Sequence, residues 1–188
     1  MKLKRLFVGI NIPQNIREKL MSEAQDDPEF GLLPVRWTDK DNLHITLEFL
    51  GYADDEQSYE IAKRLHSLIE DSPSFPAFFD KIVFGPPDGL PEMIWAVGPK
   101  NEYLTELHKN IRDGLSDMRL LRRGAKHKFS THITLGRLSK SDAKEIEKRH
   151  EKEIRTSFPV LEVTLMESFK ENNRTYYAIL ETVKLGEL

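Results

Sequence analysis

His-Ile-Thr-Leu stands at residues 44–47 of this chain and again at residues 132–135, an offset of 88 residues. The match extends upstream, because Leu-Phe-Val-Gly at residues 6–9 and Ile-Trp-Ala-Val at residues 94–97 are separated by the same 88 residues. Each of these apolar segments begins 38 residues before its histidine. A constant offset between similar segments indicates a duplicated structural unit.

The segments that follow each motif extend the repeat. Ser-Phe-Pro at residues 74–76 and at residues 157–159 is predicted to begin an apolar strand after a helix, although the second interval is shorter. Each half is therefore expected to run strand, helix, histidine strand, helix, strand. We predict an α+β, bilobal duplicated fold, in which two pseudo-symmetric lobes of antiparallel-rich sheet carry outer helices and enclose an active-site cleft.

The predicted organisation is one bilobal domain over residues 1–188, with repeat units at residues 5–84 and 93–169 and a closing strand at residues 175–183. Apolar periodicity, turn residues and helix-start signals predict the individual elements. Strands are expected at residues 6–10, 35–38, 43–50, 75–84, 93–97, 131–135, 160–169 and 176–183. Helices are expected at residues 13–24, from residue 54 to before residue 72, at residues 102–115 and at residues 142–151.

Composition narrows the class of protein. With 39% hydrophobic and 31% charged residues, the chain has ordinary globular usage. Cysteine is absent, which excludes disulfides, thiol nucleophiles and cysteine-based zinc sites, and a cytoplasmic location is expected. A net charge of −3 argues against non-specific coating of nucleic acid, so any RNA contact must be local. No segment is long enough to span a bilayer, and a monomer without a membrane partner is expected.

The paired motifs carry the candidate chemistry. Side chains alternate along a strand, so His44 and Thr46 share one face, and His132 and Thr134 share the equivalent face. Two imidazoles beside one phosphorus suit the opening of a cyclic phosphodiester, because one can activate water while the other protonates the leaving oxygen. The threonine hydroxyls would hold phosphate oxygens. Arg137 is the best-placed cation to neutralise charge in the transition state.

The motifs admit other interpretations. A single His-x-Thr on a strand is a weak signal, and one alternative is that the repeat only preserves a core pattern; a core, however, requires the isoleucine and leucine rather than the histidine and threonine. Metal ligation is less favoured, because there is no cysteine and no carboxylate at a familiar metal-site spacing. No metal and no cofactor are therefore expected. The remaining histidines are expected to be solvated: His66, His108, His127 and His150.

Two further groups are candidates for RNA contact. A basic loop leads into the second motif and could bind phosphates, although a solvated loop is an equal alternative; its residues are Arg122, Arg123, Lys126, His127 and Lys128. Aromatic residues near the motifs could stack on a base, but core packing is the better prediction for them; they are Phe7, Phe49, Trp95 and Phe129.

The chain resembles a known family over nearly its whole length. The resemblance rests on Arg-Leu-Phe-Val-Gly-Ile at residues 5–10, Asn-Leu-His-Ile-Thr-Leu-Glu-Phe-Leu-Gly at residues 42–51 and Phe-Ser-Thr-His-Ile-Thr-Leu-Gly-Arg at residues 129–137. These segments are similar to the two-histidine phosphoesterases, and most similar to the RNA 2',3'-cyclic phosphodiesterases, formerly called 2'-5' RNA ligases. One departure is Thr131, where relatives commonly carry proline directly before the second histidine.

The resemblance implies a bilobal α+β fold, a reaction without metal and a 2'-phosphomonoester product. It further implies that His44 donates a proton to the 3' oxygen and that His132 activates water. Thr46, Thr134 and Arg137 would bind the phosphate. The substrate would be RNA with a 2',3'-cyclic phosphate end, or a small cyclic nucleotide. The alternatives left open are 2'-5' RNA end joining by the reverse reaction and a non-catalytic RNA-end-binding module.

Overall fold

The computed structural model describes residues 3–118, 129–146, 149–172 and 174–186. In these ranges nine strands form one sheet with antiparallel ladders, accompanied by five α-helices, so the predicted α+β class is confirmed. The strands are β1 Lys4–Asn11, β2 Arg36–Trp37, β3 His44–Ala53, β4 Phe75–Gly85, β5 Met93–Val97, β6 His132–Arg137, β7 Glu151–Val160, β8 Glu162–Glu171 and β9 Arg174–Lys184. The helices are α1 Gln14–Gln25, α2 Pro28–Gly31, α3 Asp55–Ile69, α4 Glu102–Gly114 and α5 Lys140–Lys144.

The strand order is β7-β4-β5-β6-β3-β1-β8-β9, with β2 paired to β6. The two histidine strands, β3 and β6, are central neighbours and pair at Ile45 and Ile133. We call β3, β1, β8 and β9 the first half-sheet, and β6, β5, β4 and β7 the second half-sheet. In each, the histidine strand lies beside the strand that begins its own repeat unit, β1 or β5. The order is therefore symmetric about the junction of β3 and β6.

The half-sheets exchange one strand relative to the repeat units. β4 follows α3 in the chain, yet it pairs with β5 and β7 in the second half-sheet. The prediction that Ser157 begins a strand is wrong, because Ser157 lies near the end of β7. The two Ser-Phe-Pro segments pair with each other instead, with Pro76 opposite Pro159. The boundaries 5–84 and 93–169 remain an interpretation of the sequence.

Local signals account for the helices that cover the sheet. The side chain of Asp54 accepts a hydrogen bond from the Gln57 backbone N–H, and the Gln57 side chain accepts one from the Asp54 N–H, which closes a capping box at the start of α3. The apolar positions Ile61, Leu65 and Ile69 recur at helical spacing and are fully buried. The predicted start of this helix and its apolar face are confirmed.

The prediction of a helix at residues 142–151 is wrong in its extent. The helix there, α5, ends at Lys144, and Glu151 already begins β7. β7 is the outermost strand of the second half-sheet, so its charged side chains stay in water and only Ile154, Phe158 and Val160 are buried. A solvated edge strand of this kind has too few apolar positions to show a strand pattern in the sequence.

The apolar residues of both motifs lie in the main core. Ile45, Leu47, Ile133 and Leu135 are each at most 3% exposed and belong to the large buried cluster beneath the helices. Burial of these side chains fixes which face of each central strand points inward, because a slip of one residue would expose all four. Within the described ranges, no helix has the length and apolar character needed to cross a membrane.

Candidate active site

The two motifs meet at the junction of the half-sheets. Ile45 of β3 pairs with Ile133 of β6 in antiparallel register, and both side chains point into the core. Antiparallel pairing then sets the polar neighbours opposite each other on the other face, in the two rows Thr46 with His132 and His44 with Thr134. All four of these polar side chains are partly exposed. The residues predicted from the repeat are therefore brought together on one surface.

Both imidazoles are held in the same way. Nδ1 of His44 lies 2.7 Å from the Asn42 carbonyl oxygen, and Nδ1 of His132 lies 2.8 Å from the Ser130 carbonyl oxygen. A carbonyl oxygen only accepts hydrogen bonds, so Nδ1 must carry the proton in both rings. Nε2 is therefore the titrating nitrogen of each neutral ring. In His44, Nε2 lies 2.9 Å from the Thr46 hydroxyl, which can donate to it.

Different aromatic rings support the two histidines. The Phe7 ring lies 4.9 Å from the His44 ring, and the Tyr177 ring meets His44 edge-on at 5.0 Å. Trp95 stacks on His132 with ring centroids 4.0 Å apart. Phe7 and Trp95 are separated by the 88 residues of the repeat, whereas Tyr177 comes from the closing strand. Each imidazole therefore packs on a repeat-related aromatic ring, Phe7 or Trp95, whereas Tyr177 contacts His44 and comes from outside the repeat.

Burial and nearby charge lower the pKa of both histidines below the ordinary 6.5. Burial is the main cause for each, and the hydrogen bonds to the Asn42 and Ser130 carbonyls oppose it. Charge on Arg137 lowers both pKa values further, and charge on His132 lowers that of His44. Such electrostatic coupling requires that these three groups lie near one another.

Arg137 ends β6 on the face that carries the histidines. Its backbone pairs with Met93, and its guanidinium contacts the Met93 sulfur at 3.1 Å. The side chain is exposed, and its charge acts on His44, His132 and Tyr177. Arg137 therefore lies where a cation can neutralise an anion held between the imidazoles.

Tyr177 is a neighbour of the site that sequence analysis missed. It lies in β9, outside the repeat, and no local pattern distinguishes it from other strand aromatics. The β8–β9 hairpin reaches back to the first motif, where the Asn42 side-chain amide donates to the Thr175 carbonyl at 2.7 Å. Burial raises the pKa of Tyr177, while Arg137 and Arg5 oppose the rise. Its hydroxyl therefore stays neutral and able to donate a hydrogen bond.

The other candidates from the sequence are the basic loop and the aromatic residues near the motifs. The basic loop, Arg122, Arg123, Lys126, His127 and Lys128, lies outside the described residues. Phe7 and Trp95 are buried, at most 8% exposed, but they lie outside the main core cluster and pack on His44 and His132. Phe49 is 52% exposed and does not fill the core. Phe129 stacks on His108 at 4.4 Å.

His108 is not the solvated residue that was expected. Its Nδ1 lies 2.7 Å from the Leu47 carbonyl oxygen, and its ring, which projects from α4, stacks on Phe129 ahead of the second motif. Nearby, Glu48 lies beneath α4, 3.6 Å from His108 and 3.5 Å from Arg112. Burial raises the pKa of Glu48, with both partners opposing the rise. This cluster links the first motif to the segment that enters the second.

Two features complete the description of the surface. Among the described residues, no group of three or more histidine, aspartate or glutamate side chains is placed to hold a metal ion. A recess of about 550 Å³ lies beside α1 and the segment from Trp37 to Asp41. Its lining contains neither His44 nor His132, so the recess is separate from the paired motifs.

Comparisons with known proteins identify a family and a similar fold. The model of the 2'-5' RNA ligase superfamily matches residues 6–171. A Methanocaldococcus jannaschii protein named RNA 2',3'-cyclic phosphodiesterase is 29% identical over 96% of this chain and 98% of its own length. An Archaeoglobus fulgidus protein of the same name is 32% identical over 73% of this chain and 74% of its own. The structure of E. coli LigT complexed with 3'-AMP is similar with a TM-score of 0.81 and 26% identity, covering 99% of this chain and 100% of that one.

Proposed function

The chain belongs to the 2'-5' RNA ligase superfamily, and on that premise we propose that it hydrolyses RNA 2',3'-cyclic phosphate ends to 2'-phosphomonoesters, with His44 and His132 as acid and base. Relatives from five organisms carry the name RNA 2',3'-cyclic phosphodiesterase, which supports this class of reaction. One observation carries the proposal: two imidazoles with equivalent hydrogen bonds flank a single strand junction beside Arg137.

Because Nδ1 of each ring donates its proton to a backbone carbonyl, Nε2 is the nitrogen that can exchange a proton with the substrate or with water. A neutral His132 has an unprotonated Nε2, which can take a proton from water as the water oxygen attacks phosphorus. The bond between phosphorus and the 3' oxygen then breaks, and Nε2–H of a protonated His44 delivers its proton to that oxygen. The products are a 2'-phosphate and a free 3' hydroxyl. The assignment of acid and base to these two residues follows the family resemblance.

The remaining groups would bind the phosphate. Thr46 and Thr134 each lie opposite a histidine, so their hydroxyls can donate to non-bridging phosphate oxygens on either side. Arg137 would neutralise the negative charge that grows in the transition state. Tyr177 would add a neutral donor from the closing hairpin. These roles need no metal ion, and hydrolysis without one is part of the proposal.

In end joining, the 5' hydroxyl of a second RNA end would attack the 2',3'-cyclic phosphate in place of water, forming a 2'-5' phosphodiester as the bond between phosphorus and the 3' oxygen breaks. This reaction uses the same two proton transfers, but it needs the second end to be held in place of water. In dilute solution, hydrolysis is therefore the expected outcome.

The test is turnover of an RNA that ends in a 2',3'-cyclic phosphate, followed by identification of the product isomer. The expected product is the 2'-phosphomonoester, formed at the same rate with and without EDTA. A 3'-phosphate product would contradict the leaving-group assignment. Loss of turnover in EDTA, restored by a divalent ion, would contradict the metal-free mechanism.

A further inference from the structure

We infer that Arg36, opposite Arg137, binds a second phosphate of the substrate: the 5'-phosphate of the nucleotide whose 2',3'-cyclic phosphate is opened. The inference rests on the proposed function and specifies its substrate class. It makes the preferred substrate an RNA strand or a 5'-phosphorylated end, rather than a nucleoside cyclic phosphate that carries a single phosphate.

Two arginines are paired across β2 and β6. β2 pairs with β6 so that Arg36 is directly opposite Arg137. Residues directly opposite each other in an antiparallel ladder project from the same face, and like charges in that position destabilise the pair. The face is the one that carries His132 and Thr134: Met93 and Trp95 share one face of β5 and pair with Arg137 and Thr134, and the register shift between Ile94 and Trp95 accounts for the odd spacing on β6. A bound anion would offset the repulsion between the two guanidinium groups.

Both arginines of this pair are exposed. In the described part of the chain, neither Arg36 nor Arg137 forms an ion pair with a carboxylate within 4.0 Å. The Arg137 guanidinium donates instead to the uncharged Met93 sulfur. Two exposed guanidinium groups facing the same surface suit a phosphate, whose oxygens accept paired N–H donors.

The packing of Val35 and Trp37 on Gly136 determines the face from which Arg36 projects. A Cβ on Gly136 would approach Val35 to 2.4 Å and Trp37 to 3.1 Å, so the missing side chain leaves room for the neighbours on both sides of Arg36. The Thr38 N–H donates to the Leu135 carbonyl at 2.8 Å, which extends the ladder. With Val35 and Trp37 packed over Gly136, alternation directs Arg36 to the opposite face.

The spacing along β6 sets the distance between the histidines and the arginine pair. The opposed pairs follow one another as His132 with Thr46, Thr134 with His44, and Arg137 with Arg36. Arg137 is three positions after Thr134, with a bulge between them, so the arginine pair lies on the order of 7 to 10 Å beyond the second row. That step is comparable to the distance between neighbouring phosphates of an extended strand. A nucleotide reacting at the histidines can therefore present its 5'-phosphate to the arginines.

The experiment compares two substrates that differ only in the second phosphate: adenosine 2',3'-cyclic phosphate and its 5'-phosphorylated form. Wild-type protein is expected to prefer the 5'-phosphorylated substrate by about tenfold in kcat/KM, as a charge-assisted contact allows. Arg36→Gln should abolish that preference and leave kcat/KM for the unphosphorylated substrate within about twofold. Arg36→Lys should retain most of it, and the preference should weaken as salt is added.

Arg155→Gln is the matched control, because Arg155 is an exposed strand arginine on β7, three strands from β6. It should keep the full preference. Equal losses on both substrates in Arg36→Gln, or an unchanged preference, would overturn the inference. Calorimetric binding of adenosine 2',5'-bisphosphate and adenosine 2'-monophosphate tests the same contact without turnover. If hydrolysis fails but the bisphosphate still binds more tightly through Arg36, only the proposed reaction is wrong.

Discussion

The indole ring of Trp95 stacks on the imidazole of His132, with ring centroids 4.0 Å apart and planes inclined by 26°. The repeat-related contact, Phe7 on His44, is longer at 4.9 Å and tilted by 42°. Trp95 is wedged from behind, because a Cβ on Gly85 would lie 2.3 Å from the indole. His132 is thus held by a stack whose far side is glycine backbone.

Enlarging Gly85 should therefore disturb His132 through Trp95. In Gly85→Ala, the added methyl group must displace the indole, which costs about 1 to 3 kcal/mol of unfolding free energy. We expect kcat to fall at least about tenfold, on every substrate alike, with a change in tryptophan fluorescence. Trp95→Phe on the Gly85→Ala background should recover part of kcat, because the smaller ring leaves space.

Gly186→Ala is the control for this prediction, since a Cβ there makes only ordinary contacts at 3.4 Å and beyond. It should retain wild-type kcat. A fully active Gly85→Ala would show that the stack does not position His132.

A substrate with a better 3' leaving group should distinguish the roles of the two histidines. Replacing either His44 or His132 with alanine should lower kcat/KM at least about a hundredfold, the lower end of what a positioned acid or base contributes. A good 3' leaving oxygen no longer needs a proton, so it should restore much of the rate of His44→Ala and little of that of His132→Ala.

His66→Ala serves as the control, because His66 is about half exposed on α3 and contacts Glu181. It should leave kcat/KM unchanged. Rescue of His132→Ala in place of His44→Ala would reverse the roles of acid and base.

The pH dependence follows from the lowered pKa values. The base must be neutral, so kcat/KM rises with pH through the pKa of His132; the acid must be protonated, so kcat/KM falls through the pKa of His44. Because both pKa values lie below the ordinary 6.5, the maximum of kcat/KM should lie below about pH 6.5. Arg137 lowers both values, so Arg137→Gln should lower kcat/KM and move the whole profile to higher pH.

The same Arg155→Gln control should leave the profile in place. A shift of Arg137→Gln to lower pH would contradict the proximity of Arg137 to the imidazoles.

Glu48 should make the free energy of unfolding depend on pH. Burial raises its folded-state pKa above the ordinary 4.5, so its contribution to stability falls as pH rises from about 4.5 through the folded-state pKa. Glu48→Gln removes this loss. We expect the variant to unfold with a free energy equal to or greater than that of wild type at pH 7, measured by urea titration, and the difference to shrink at pH 4.5.

Glu106→Gln is the comparison for Glu48, because Glu106 is an exposed carboxylate on α4. It should show no such pH-dependent difference. If Glu48→Gln is less stable at pH 7 than at pH 4.5 relative to wild type, the contacts with Arg112 and His108 outweigh burial.

Sequence alone determined the elements that carry strong local patterns. The capping box at Asp54, the apolar stripe of α3 and the exact extent of β5 all follow from side-chain periodicity and end signals. The sequence also predicts that His44 and Thr46 share one face, as do His132 and Thr134, because alternation along a strand needs no tertiary information. Their repetition at one offset was enough to place two equivalent faces in the fold.

Only the tertiary structure decided which distant segments complete that surface. Tyr177 reaches His44 because the β8–β9 hairpin curls back to Asn42, and Arg36 faces Arg137 because β2 takes the place of β3 beside β6. β7 was missed because an outer strand buries few side chains. Contacts of this kind depend on strand order and sheet curvature, which are set by the packing of the whole core and leave no trace in the residues next to each position.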